Sequence, residues 1–358
     1  MVHEPLLLLR VNVITELKRW KNNLIPFALI LAGAIMRLVS LDHLPGLNGD
    51  ESWYGVLARS LSAGETSSFR TPNLGLAGPV HLGLVFIFDY IGHIIGISNA
   101  VILRMPSVFC GFLAVILFYY FIKKYISQPL ALWMSALLMV FPMPVLYSRF
   151  GWEISQISVG LLLYFFALFS QKWIWAIFAF ILCISIHPIS LFLLPIWLVM
   201  VSSSVYSSTH LPARRKGLSY VLIALTCGFI YKFYFDIFPV AGKPLAIGGI
   251  SRLFSPVEFY HFALNFCRLF SGLISIEYIT GELQGMPSII LFTITALVLT
   301  WSFYNAFKLG NIQKNKTWQT FLLGLYLSIL AFYIKLGSSA LVPGHERYGY
   351  IFIIPCLL

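Results

Sequence analysis

Two adjacent carboxylates, Asp50 and Glu51, stand in the turn "LPGLNGDES" directly after a long apolar run. Acids are scarce in this chain, 13 Asp and Glu against 24 Lys and Arg in 358 residues, so a pair of them in one turn calls for a reason. A carboxylate can take the proton of a hydroxyl as that hydroxyl attacks an activated carbon. Asp50 also stands where a helix cap is expected, because Trp53, Val56, Leu57 and Leu61 follow at spacings of three and four. Glu51 in the first turn would suit the helix dipole. The structural and chemical roles are compatible, and a helix start attracts phosphate as well.

The elements that would position such a turn are set by composition. The chain is 59% hydrophobic and 10% charged, where a soluble domain carries about a quarter charged residues, so an integral membrane protein is expected. No basic block exceeds three residues, which points the excess cations to membrane topology and away from nucleic acid. The five cysteines are scattered, with neither paired nor zinc-like spacing. The first 23 residues read as a cytoplasmic surface helix feeding an uncleaved span.

Spans of mostly apolar residues are expected at 24–41, 101–122, 130–147, 154–170, 173–186, 189–205, 218–238, 286–307 and 317–336, with a short one at 348–358. The fold class is therefore an all-α polytopic bundle of about nine to ten transmembrane helices, in one domain over residues 1–358. The segment 79–97 could also cross, but it carries Asp89 and His93 on one helical face. Laid on the surface, it leaves the lysines and arginines between spans on the inside; crossing would turn every later cluster outward, against the positive-inside rule. The surface placement brings four polar segments to one outer face: 48–70, 148–153, the loop 239–285 and 344–350. Residues 42–100 form a first large outer loop and 239–285 a second. The sequon at Asn315 then lies inside and is expected to be inert.

The string "LPGLNGDESWYGVLARSLSAGE" resembles the first outer loop of the polyprenyl-phosphate-sugar-dependent membrane glycosyltransferases of the C-type fold. These family-39-like enzymes include the protein O-mannosyltransferases and the lipid A aminoarabinose transferase. "LRMPSVFCGFLAVILFYYF", "PVLYSRFGWEIS", "SIHPISLFLLP" and "HERYGYIFIIP" follow in the expected order and extend the match over most of the chain. The resemblance implies that Asp50 is the catalytic base, with Glu51 its immediate partner. The sequence departs from the pattern at "LAGPVHLGL", where relatives often have a Lys or His before two prolines. Here only Pro79 is kept, and His81 follows, which leaves donor-phosphate binding by that segment in question.

The other polar outposts take roles within this picture. Arg149 and Glu153 lie four apart in "YSRFGWE"; Arg149 could grip the departing lipid phosphate, and Glu153 could orient it or touch the sugar. The plain alternative is an interfacial anchor. His187, before Pro188, reads as a turn residue or a donor to phosphate or sugar. Arg347 and Tyr348, after His345 and Glu346, are expected at the donor phosphate and prenyl chain. Arg104 reads as a headgroup anchor, and the loop residues Lys243, Arg252, His261 and Arg268 as a lid or acceptor surface in which Arg268 could reach a phosphate.

The sequence names no cofactor, and a divalent metal, compatible with the acids present, has no ligand motif behind it. Nucleotide-binding and nucleophilic-serine motifs are absent from the sequence. The expected activity is transfer of a sugar from a polyprenyl-phosphate donor to a hydroxyl of a lipid, glycan or protein acceptor, at the extracytoplasmic face of the cell membrane. The rival is a polytopic transporter or flippase without catalysis. It is disfavoured by the concentration of acids at span ends, since transporters place polar groups at mid-membrane.

Overall fold

Apolar runs broken by proline, glycine and short polar turns fold here as helices that end at those breaks. The computed structural model describes residues 24–43, 46, 49–65, 78–97, 99–207, 213–237, 254–271, 297, 316–336 and 346–358. In chain order the helices are α1 (Leu24–Leu38), α2 (Gly49–Ser62), α3 (Pro79–Ile95), α4 (Asn99–Tyr125), α5 (Gln128–Val140), α6 (Pro142–Ser148), α7 (Ile154–Phe169) and α8 (Trp173–Ile186). A 3-10 turn (Pro188–Leu193) leads into α9 (Leu194–Ser207), followed by α10 (Ala213–Ile237), α11 (Pro256–Ser271) and α12 (Lys316–Leu336). A second 3-10 turn (Glu346–Phe352) leads into α13 (Ile353–Leu357). The described residues contain no strand.

Three of these units are long and apolar enough to cross a membrane: Ala100–Tyr125, Pro188–Ser207 and Lys316–Leu336. The pair α5 and α6, bent by 58°, makes a fourth if it is one span. Nine to ten were expected over the whole chain; among the described residues, shorter apolar helices occupy several of the other expected positions, including Leu24–Leu38, Ile154–Phe169 and Trp173–Ile186. Helices α7 and α8 are apolar but have only 16 and 14 residues, about 21–24 Å at 1.5 Å per residue, short of the roughly 30 Å hydrocarbon layer. They stop early because the chain turns at Glu153 and at His187–Pro188, which are buried inside the protein. The span expected at 286–307 lies outside the described residues.

Proline sets the breaks. Phe141 precedes Pro142 and is extended (φ −63°, ψ 128°), as the ring of a following proline demands, so the run expected as one span over 130–147 splits there. The break frees the carbonyl of Met139, which accepts from Arg37 Nη1. Arg37, fully buried in α1, also donates to Gly33 O at 3.0 Å. Gly33 is needed for the approach, since a Cβ there would lie 2.4 Å from Met139 O.

Helix α7 is the centre of the bundle, buried on nearly every side and packed on α4 and α8. Helix α9 packs against α12, and α11 lies on α6 and the second 3-10 turn. Because α4, α5–α6, α7, α8 and α9 run alternately up and down, their turns fall at two ends. One end collects residues 41–43, 46, 49–51, 104–107, 149–156, 185–190 and 350; the other collects Lys123, Lys124, Lys172 and Lys316.

Candidate functional site

Helix α2 turns Glu51, Tyr54, Gly55 and Ala58 inward, a stripe at i, i+3, i+4 and i+7 that packs on α3 and α4. Gly55 allows the contact, because a Cβ there would stand 2.9 Å from Leu103 Cδ1. Of the expected apolar stripe, Trp53 and Leu57 are half-buried and pack against the core, Leu61 is half-buried, and Val56 is exposed. The helix begins at Gly49, so Asp50 is its second residue, inside the first turn, and not the cap residue expected. Its side chain is half-exposed.

Glu51 is placed differently from its neighbour. Its carboxylate is completely buried and receives Arg104 Nε on Oε1 at 2.6 Å and Nη2 on Oε2 at 2.9 Å. Gly151 N donates to Oε1 at 2.8 Å. Arg104, also 0% exposed, uses its other hydrogens on Leu41 O (2.6 Å) and Gly46 O (3.3 Å). Both expectations for this pair are therefore corrected: Glu51 is a clamp that holds the Asp50 turn, and Arg104 is its buried partner, with no surface left for a headgroup. The reason is electrostatic, since a buried guanidinium must meet an opposite charge and fill its donors. Gly151 is fixed by the same contact; a Cβ there would lie 2.8 Å from Leu103 O and 3.0 Å from Glu51 Cγ.

The "YSRFGWE" turn is sewn to this clamp. Ser107 donates to Trp152 O at 2.6 Å, and the Phe150 and Trp152 rings stack at 4.5 Å. Arg149 does not stand ready for a phosphate as expected. Its guanidinium binds the carbonyls at the end of α1, Met36 O, Val39 O at 2.8 Å and Ser40 O at 3.3 Å, where a cation is favoured by the helix dipole. Glu153 and His187 come together, with Oε1 3.7 Å from Nε2, both side chains nearly inaccessible. His187 Nδ1 accepts from Ile189 N–H at 3.0 Å, so the ring hydrogen sits on Nε2 and faces the Glu153 carboxylate.

His81 is buried edge-on to Tyr54 (centroids 4.6 Å apart) and hydrogen-bonded through Nδ1 to Gln156 Nε2 at 2.8 Å. Helix α3, 17 residues long, is not among the helices long enough to cross a membrane. Burial pushes the imidazole down to about 4, against the opposing hydrogen bonds to Gln156 and the Gly151 backbone, so His81 is neutral at pH 7. A neutral, sealed ring fits a positioning role better than a phosphate clamp. The loop leading to it docks tightly: Gly78 N donates to Ile186 O at 2.8 Å, and a Cβ on Gly78 would fall 1.8 Å from Ser185 O. Gly78→Ala should cost about 3 kcal/mol by forcing two backbones apart. Gly83→Ala, where a Cβ meets nothing within 4 Å, should be neutral or stabilising by up to about 1 kcal/mol. Thermal melts of the two variants check this contrast.

Arg268 sits in the last turn of α11, half-buried, on a helix that packs beside the second 3-10 turn. That turn contains Arg347 and Tyr348, whose side chains lie outside the described residues, as do Lys243, Arg252 and His345. Its Tyr350 accepts from Ser158 at 3.1 Å and meets Tyr147 edge to face, which ties the "HERYGY" segment to α7 and α6. Among the described residues no group of three or more His, Cys, Asp or Glu is arranged to hold a metal ion.

The sequence reading overlooked Arg37, Ser107 and Gln156. A usable signal existed for Arg37: a lone arginine inside an apolar run must find buried acceptors.

The described residues thus form an all-helical protein in which three to four helices are long and apolar enough to cross a membrane, with a polar cluster gathered at one end of the bundle. Compared with known proteins, it matches no protein-family model, and no curated protein is significantly similar to it.

Proposed function

We propose that the chain is a membrane glycosyltransferase of the C-type fold that moves a sugar from a polyprenyl-phosphate donor to a hydroxyl acceptor at the outer membrane face. The observation that supports this reading best is the pairing of two neighbouring acids in opposite environments. Glu51 is sealed by Arg104 and Gly151, and that clamp holds Asp50 half-exposed at the polar end. A fixed but accessible carboxylate is what a general base needs.

In this reading the acceptor hydroxyl attacks the anomeric carbon, Asp50 takes its proton, and the bond from that carbon to the lipid phosphate breaks. The polyprenyl phosphate leaves as an anion, a good leaving group that needs no proton in the step. Displacement by one base in one step inverts the anomeric centre. Arg268 and Arg347, carried by elements that pack together beside α6, are the cations proposed for the leaving phosphate. Glu153 and His187 shape the wall behind them. Arg149 contributes by fixing the end of α1, ahead of the acidic turn.

The test is donor consumption. Membranes holding the full chain, given a polyprenyl-phosphate sugar labelled in the sugar, should transfer label to a hydroxyl-bearing product and release polyprenyl phosphate in equal amount. Intact donor after prolonged incubation with candidate lipid, glycan and protein acceptors would refute the reading and favour a transporter.

A further inference from the structure

A second polar feature lies at the opposite end of the bundle, independent of the proposed transfer site. A cavity of about 360 Å³ opens between the end of α7, the last turns of α9 and the first turn of α12. Its volume falls in the range of small-ligand pockets, about 300–1,000 Å³. The floor is apolar, formed by Leu168, Trp173 and Met200, and the walls carry Gln171, Ser203, Ser204, Ser207, Lys316 and Thr320.

The charge here has one sign. No acidic side chain is among the described residues that line the cavity. Lys316 occupies the first position of a 21-residue helix, the end where the helix dipole is already positive and a cation is least favoured. Its Nζ donates to Ser207 Oγ, which in turn donates to Ser203 O at 2.6 Å. An ammonium has three hydrogens, so the contact to Ser207 leaves donors for a ligand. Gln171 lines the wall from a left-handed conformation (φ 55°), costly for a residue other than glycine or asparagine. Lys172 follows it, and Lys123 and Lys124 close α4 at the same end of the bundle.

A lysine and serine hydroxyls beside apolar and aromatic lining residues match a phosphate ester that carries an apolar continuation. We propose that this cavity is a binding site for the phosphate group of an anionic glycerophosphate, either a phospholipid headgroup or its soluble counterpart. Lys316 and the hydroxyls of Ser203 and Ser204 take the phosphate, and Trp173 and Met200 take the glycerol and the start of an acyl chain.

The experiment uses the full chain purified in lipid-free detergent. Binding is followed by thermal shift and native mass spectrometry with phosphatidylglycerol, phosphatidylcholine and sn-glycerol 3-phosphate. Phosphatidylglycerol, and not phosphatidylcholine, should raise the melting temperature, and Lys316→Gln should weaken its binding about fivefold, the effect of removing one cation at a lipid surface. Ser204→Trp, which fills the cavity without changing charge, should abolish the same binding.

Equal protection by soluble glycerol phosphate would also support the site and would assign it to a free ligand; a response to the lipid alone would assign it to the membrane. Equal binding of both phospholipids, or binding that neither variant weakens, would overturn the proposal. Lys316 is exposed and Ser204 half-buried, so loss of folding is not expected to mask the result.

Discussion

Arg104→Ala, with Glu51 left in place, will destabilise the folded chain by about 3–5 kcal/mol, the largest stability loss expected of any polar substitution here. The reason lies on both sides of the pair. The carboxylate of Glu51 has no exposure, so removal of the guanidinium leaves a buried anion without its counter-charge, although Gly151 N–H still donates to it. Leu41 O and Gly46 O lose their donor at the same time, which loosens the strand of chain between α1 and α2. Burying a charge pair is by itself a weak source of stability. The double substitution Glu51→Ala with Arg104→Ala should therefore recover part of the loss, because no uncompensated charge remains. Denaturant or thermal unfolding of the two single variants and the double variant in one detergent gives the coupling directly. A double variant as unstable as the sum of the singles would contradict the clamp.

Much of this arrangement was readable from residues. Helix α8 begins after Lys172 and ends before His187–Pro188, where the apolar run and the proline place it. The polar outposts were also expected to share one face; among the described residues, 41–43, 46, 49–51, 149–156, 185–190 and 350 lie at one end of the bundle, joined by contacts between Glu51 and Gly151, His81 and Gln156, Glu153 and His187, and Ser158 and Tyr350, while most of the loop 239–285 lies outside the described residues. What could not be read was which polar group each would face. Arg104 and Glu51 are 53 residues apart, and no spacing rule links two helices whose approach depends on Gly55 and Gly151.

Arg149 illustrates the same limit. Its place after α6 invited a ligand, but the nearby end of α1 offers three carbonyls that compete for it. The break at Phe141 was legible in "FPMP" and was passed over because apolarity continues across it. Apolarity alone also does not reveal that α7 and α8 turn inside the protein at Glu153 and His187.

Asp50 has the second large expected effect. It shares the first turn of α2 with Glu51, yet one carboxylate is sealed and the other half-exposed. Asparagine keeps the size of aspartate and one acceptor oxygen at that position but cannot take a proton. Removal of a general base typically costs about 10²–10⁴-fold in rate, and a half-exposed site in a helix first turn tolerates the change with little loss of stability. The decisive measurement is single-turnover sugar transfer from a polyprenyl-phosphate donor by Asp50→Asn beside the unaltered chain, at matched abundance and melting temperature. The account predicts a rate lower by at least about a hundredfold with donor binding retained; transfer at the unaltered rate would contradict it.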